Sequence, residues 1–223
     1  MRPLLVLRPE PGASATARRA RALGLRPVVA PLFTLRALAW EPPDASAFDA
    51  VLFTSANALR HGGPGLARYR HLPAYAVGTA TAAAARDAGF NVVVTGSQNA
   101  ERLVADVGSH LRMLHPCGRH RRDTSRSTHA IPVYSADAAA TLPDAAQQAV
   151  RANAVAMVHS PRAARLFARL TDAHNRAFAD IVAISPAAAQ AAGTGWRSIA
   201  SPPAPTDAAI LAIARVLCEN DPS

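Results

Sequence analysis

Short apolar runs alternate with longer alanine-rich stretches along nearly the whole chain, a rhythm that predicts strands and helices in regular succession. Residues 3–7 read as a first strand, 12–23 as a helix closed by Gly24, and 27–30 as a second strand. Residues 33–38 are extended in character, and the loop Glu41-Pro-Pro follows. From Phe48 the alternation resumes, with strands predicted at 50–54, 74–77, 91–94 and 111–115, and helices from 56 and over 79–88 and 98–107. Residues 118–129 read as a polar, basic loop carrying Arg119, Arg121, Arg122 and Arg126, and 130–135 as a second short extended piece. The remainder predicts helices at 140–151, from 161, from 186 and at 206–218, with strands at 154–158, 180–184 and 197–200. Thr206 or Asp207 is placed to cap the last helix. Strands separated by helices in this way imply an α/β fold with mainly parallel sheets flanked by helices.

The pattern also repeats at a larger scale. Ala50-Val-Leu-Phe-Thr-Ser55-Ala-Asn57 is followed 23 residues after Ser55 by Gly78-Thr79-Ala-Thr81, and Val155-Ala-Met-Val-His-Ser160-Pro161 is followed 25 residues after Ser160 by Ser185-Pro186. Two similar lobes are therefore expected. Residues 1–32 hold a single strand–helix–strand unit, too little to bury a core alone. The expected organisation is thus a discontinuous first domain of residues 1–32 and 137–223 and an inserted second domain of 39–129. Segments 33–38 and 130–136 would pair as a two-stranded linker, with a cleft between the lobes.

Composition narrows the function. Half of the residues are hydrophobic and only 5% are aromatic, which suits closely packed small helices. No apolar run reaches the roughly 18–20 residues that span a bilayer. The apolar start after Arg2 is short for a secretion signal, so a cytoplasmic protein without membrane contact is expected. Cys117 and Cys218 are far apart and form no disulfide framework. The formal charge of +9 rests on arginine alone, because the chain has no lysine, and arginine grips carboxylates and phosphates through paired N–H groups. Biased genome composition explains the preference for arginine equally well, yet either origin leaves a surface that attracts acidic partners.

Candidate chemistry falls where ligands bind parallel sheets, beyond the carboxyl ends of the strands. Those positions are Arg8, Ser55, Asn57, Gly78, Thr79, Thr81, Ser160 and Ser185. Any one of the serines is accounted for as an ordinary helix cap; the same device at four turns points to a shared ligand-facing edge. His115, Cys117 and His120 lack a second ligand pair at metal-binding spacing, so no metal is expected. Gly62-Gly63-Pro-Gly65 lacks the Lys-Ser/Thr of a phosphate loop and reads as a helix terminator. There is no G-x-S-x-G elbow and no G-x-G-x-x-G after the first strand, and with the missing phosphate loop this argues against nicotinamide and ATP chemistry. The arginine-rich loop has no interleaved aromatic residues, so nucleic acid is not expected as a partner.

Several of these segments together resemble the uroporphyrinogen-III synthase family. They are Val6-Leu-Arg8-Pro9, Thr54-Ser55-Ala-Asn57-Ala, Gly78-Thr79-Ala-Thr81-Ala-Ala, Val133-Tyr134, Ser160-Pro161 and Ile184-Ser185-Pro186, in an order that spans nearly the whole chain. The resemblance implies a monomeric, cofactor-free lyase that closes hydroxymethylbilane, a linear tetrapyrrole polycarboxylate, into uroporphyrinogen III with loss of water. It implies Tyr134 as a proton donor, with hinge packing as the alternative role, and hydroxyls and amides at Ser55, Asn57, Thr79, Thr81 and Ser160 as substrate contacts. Ser185 and Ala188 depart from the glycine and threonine usual in the last turn. An anion-binding protein of the same architecture, or an inactive relative, is the alternative reading.

Overall fold

The structure, a computed structural model, describes residues 1–96, 100–107, 110–120 and 128–220. The predicted helical residues 98 and 99 and the loop arginines 121, 122 and 126 lie outside the described residues. The chain divides into two compact units, one of Met1–Thr34 with Asp137–Ser223 and one of Leu35–Ala136.

The first unit is built on five parallel strands, β1 (Leu4–Val6), β2 (Pro27–Val29), β9 (Val155–Val158), β10 (Asp180–Ala183) and β11 (Ser198–Ala200), in the order β11-β10-β9-β1-β2. The inner strands β1, β9 and β10 are buried at every residue, as runs without polar alternation require when helices cover both faces. Helices α1 (Gly12–Ala22), α5 (Asp144–Arg151), α6 (Pro161–Leu170), α7 (Ala173–Arg176), α8 (Pro186–Ala191) and α9 (Asp207–Glu219) surround the sheet. Leu4, Val6, Met157 and Val182 pack on Ile210 and Leu211 of α9, and small residues such as Ala13 and Ala20 bring α1 close to the strands. Burying a leucine or valine side chain contributes roughly 1.5–3 kcal/mol, so this shared apolar layer dominates the unit's stability.

At the amino ends of these strands sits a buried charge cluster. Arg2 pairs with Asp180, donates to the Leu217 carbonyl at 3.0 Å and to the Asn153 carbonyl at 2.6 Å, while Arg197 and Ser198 also donate to Asp180. These bonds tie the first strand, the last helix and β11 together.

The second unit holds a six-stranded sheet in the order β3-β8-β7-β4-β5-β6, from β3 (Phe33–Ala37), β4 (Ala50–Phe53), β5 (Ala74–Val77), β6 (Val92–Gly96), β7 (Met113–Gly118) and β8 (Thr128–Ala138). The pairs from β6 to β8 are parallel. Beyond them, Leu38 donates to the Val133 carbonyl and Ala139 to the Leu32 carbonyl, so the indices run in opposite senses along β3 and β8. These two strands carry the chain across the unit boundaries at 34/35 and 136/137. Helices α2 (Ala56–His61), α3 (Thr79–Asp87) and α4 (Ala100–Val107) complete the unit. Val51, Phe53, Tyr69, Phe90 and Leu114 form the core on one face of the sheet, and Leu52, Leu103 and Met113 on the other.

Gly62 ends α2, in keeping with its reading as a terminator, but a 3₁₀ turn at Pro64–Tyr69 follows that the periodicity does not announce. Gly118 and residues 128–129, read as loop from their polarity, belong to strands β7 and β8, because β8 is extended over 11 residues and continues β7's pairing. Among the described residues no helix is long and apolar enough to cross a membrane.

Candidate functional site

In the second unit the candidates fall on one line. β4 pairs Phe53 with Ala76 and Val51 with Leu114, so Ser55 is level with Gly78 on one side and with Gly118 on the other. Gly118 in turn pairs with Tyr134. With neighbouring strands about 4.8 Å apart, the four positions span about 14 Å along the carboxyl edge.

Each member of this row is placed by local chemistry. Ser55 caps α2, its Oγ accepting from the Asn57 N–H at 3.2 Å, and Arg60 donates to Asn57 Oδ1 at 3.1 Å. Thr54 Oγ1 and the buried His115 Nε2 share a hydrogen bond of 3.0 Å, which places His115 in the support of this turn. Gly78 caps α3 at φ +84°, a left-handed conformation that side chains resist, and offers no side-chain oxygen to the helix start. The first-turn N–H groups of α3 are therefore left without a side-chain acceptor at the cap. Thr79 is exposed and Thr81 buried on that turn. No acidic residue occurs in 54–57, 78–81 or 117–120, so nothing in these stretches competes for the donors.

Tyr134 is held by a close approach. A Cβ on Gly118 would lie 2.9 Å from Tyr134 Cζ and 3.0 Å from its Oη, so glycine opens the space that the phenol occupies. The His61 ring lies alongside, with centroids 6.0 Å apart. Burial lowers the His61 imidazole below its ordinary pKa and the charge on Arg60 adds to this, favouring a neutral neighbour for the phenol.

In the first unit the corresponding edge is charged. Register from Val6–Met157 and Met157–Val182 sets Arg8 level with His159 and Ile184, and Ser160 and Ser185 follow one residue further on. Ser160 caps α6 through the Ala163 N–H at 3.1 Å, and Ser185 caps α8 through the Ala188 N–H at 3.3 Å. Ala188 is fully buried, so the departure there is a packing residue. Arg8 bonds Asp207 Oδ1 at 3.1 Å and Thr16 Oγ1 at 3.3 Å. Asp207 also accepts from Thr16 at 2.9 Å, from Arg19 at 2.9 Å and from His159 Nε2 at 3.0 Å. Burial pushes the Asp207 carboxyl upward, but the His159 and Thr16 hydrogen bonds and the charges on His159 and Arg19 prevail and hold it well below the ordinary carboxylate range. Burial keeps His159 below its ordinary value, opposed by its bond to Asp207 and reinforced by the charges of Arg8 and Arg19.

Sequence reasoning names Arg8 and both serines but reads Asp207 only as a possible cap. Thr206 is the cap, through the Ala209 N–H at 3.2 Å. The only local signal for Asp207 is a carboxylate left spare after that cap. Among the described residues no group of three His, Cys, Asp or Glu is arranged to hold a metal ion.

Two α/β units with hydroxyl- and glycine-capped helices at the carboxyl ends of mainly parallel strands make this a two-domain α/β protein. The pattern of the uroporphyrinogen-III synthase HemD family matches residues 14–212, and the chain belongs to that family. No curated protein matches it in sequence. Among solved structures it is similar to the uroporphyrinogen-III synthetase of Helicobacter pylori, at 18% identity and a TM-score of 0.68, over 97% of this chain and 100% of that one. A mutant uroporphyrinogen III synthase from Thermus thermophilus aligns at 13% identity and a TM-score of 0.56, over 99% and 100% of the two chains. At these identities the likeness bears on the fold.

Proposed function

We propose that this chain closes hydroxymethylbilane to uroporphyrinogen III, inverting the last ring and releasing water, as a monomer and without a cofactor. The observation that carries the reading is the row in the second unit, where a phenol, two helix starts and their hydroxyls share one edge and residues 54–57, 78–81 and 117–120 hold no acid. A linear tetrapyrrole bears acetate and propionate groups on every ring. Its carboxylates suit the N–H groups and hydroxyls at Ser55, Asn57, Thr79 and Thr81, with Arg8, Ser160 and Ser185 serving the first unit's edge.

The chemistry needs a proton donor and a fixed geometry. Tyr134 donates its O–H proton to the departing hydroxyl, the C–O bond breaks, water leaves, and the lone pair of the terminal pyrrole nitrogen stabilises the resulting azafulvene cation. Attack by the substituted carbon of the last ring forms the spiro C–C bond. Fragmentation and reclosure then invert that ring, and the proton released when the ring regains aromaticity restores the phenol. Oxidation state is unchanged throughout, so no electron carrier is required. Holding the chain ends at attack distance is the larger contribution, since well-oriented intramolecular reactions gain about 7–11 kcal/mol from proximity.

The test is to incubate the protein with hydroxymethylbilane and identify the porphyrin isomer after oxidation. Type III as the main product is expected. Type I alone, the product of unaided closure, would overturn the synthase reading and leave an anion-binding protein.

A further inference from the structure

The charged cluster on the first unit's edge is more than the caps require. Four side chains converge on a single carboxylate: Arg8 after β1, Thr16 and Arg19 on α1, and His159 after β9, all on Asp207 at the first turn of α9. The fixing of Arg8 is the unusual part. Its Nη1 is divided between Thr16 and Asp207, and its Nε lies so close to α1 that a Cβ on Gly12 would approach within 2.6 Å. The Nη2 group makes no hydrogen bond among the described residues, and the side chain keeps 31% of its surface exposed. An arginine at the carboxyl edge, held by Thr16, Asp207 and its close approach to Gly12 and still partly exposed, is pre-organised to receive an oxyanion.

The charge balance supports this. Arg8 and Arg19 carry two positive charges against the one negative charge of Asp207, so the cluster retains a net positive charge at the edge. A structural ion pair has no need of a second arginine.

We infer that Asp207 is a positioning residue, which holds Arg8 as a fixed contact for one carboxylate of the tetrapyrrole substrate, with Thr16 and Gly12 completing the holder. The inference rests on the synthase reading for the identity of the substrate and on the geometry above for the contact.

The experiment is a double-mutant cycle of Arg8→Gln and Asp207→Asn, read by KM for hydroxymethylbilane and by the Kd for a porphyrin polycarboxylate, uroporphyrin I. Each single change is expected to weaken KM and Kd about tenfold, the size of one lost charge-assisted hydrogen bond, with the loss in binding rather than in kcat. The double variant is expected to weaken them about tenfold again in total, not a hundredfold, because Asp207 acts through Arg8. Thr16→Val, which removes a hydroxyl and conserves volume, is expected to weaken Kd about threefold, and serves if Asp207→Asn does not fold. Additive losses, a melting temperature that falls with KM and Kd unchanged, or tighter binding once Asp207 is neutral would each overturn the inference. So would a wild-type protein that does not bind uroporphyrin I. Type I product alone would sink the synthase reading, while the Kd cycle would still decide whether Asp207 holds Arg8 for a polycarboxylate.

Discussion

The two carboxyl edges are built on one plan and handle charge in opposite ways. In the first unit an internal carboxylate gathers Arg8 and Arg19, with His159 hydrogen-bonded to it, so two cations stand at the edge with a counter-charge between them. In the second, the row from Tyr134 through Ser55 to Gly78 offers hydroxyls, backbone N–H groups and a phenol, and residues 54–57, 78–81 and 117–120 hold no acid. The difference teaches that cations crowded on one edge need an internal counter-charge, whereas neutral donors do not.

Removing structural charge should have the largest effect. Asp180→Ala leaves Arg2 buried without its partner and is expected to cost about 3–5 kcal/mol of stability, measured by urea unfolding. No equivalent substitution in the second unit should cost as much; a loss for Asp180→Ala under about 1 kcal/mol, the size of a surface pair, would break the contrast. Tyr134→Phe is expected to lower kcat about a hundredfold or more with unfolding unchanged, and full activity would remove the phenol from the chemistry.

Acid should separate the units next. The carboxyl of Asp207 is depressed in the folded state, so its contribution is complete above about pH 4, the ordinary carboxylate range, and fades as pH falls toward its folded value. Asp49, depressed to about 2 by its hydrogen bonds with Arg112, titrates in the same sense, but its partly exposed pair is screened by salt. Hydrogen exchange below about pH 4 should therefore show protection lost first around α1 and α9; earlier loss around β4 would reverse the assignment. Smallest are the caps: Ser55→Ala and Ser160→Ala should each cost about 1 kcal/mol by urea unfolding and each raise KM, the former more; equal KM effects would erase the contrast between the edges.

Most of the architecture is legible before any coordinates. Buried parallel strands such as Ala50–Phe53 and Val155–Val158 are continuous apolar runs, and Ser55, Ser160 and Ser185 mark helix starts by the hydrogen bonds they make to nearby N–H groups. Both signals are local in sequence. The 3₁₀ turn at Pro64–Tyr69 escapes such a reading because it is held by tertiary contacts, Tyr69 O–H donating to the Pro43 carbonyl at 2.8 Å. Gly118 reads as loop because its role is to make room for Tyr134, a residue far along the chain. The Asp207 cluster is the least legible: Arg8 lies 199 residues off and His159 48, and no spacing rule joins them.

One further consequence lies in how the first unit closes on itself. The Arg2 N–H donates to the Cys218 carbonyl at 3.0 Å and its guanidinium to Leu217, so the two ends of the described chain are hydrogen-bonded neighbours. A short peptide joining them would add no strain, and new ends could be opened at the exposed Gly63-Pro64 turn. In that circular permutant the discontinuous unit would become the uninterrupted one, and the inserted unit would carry both termini.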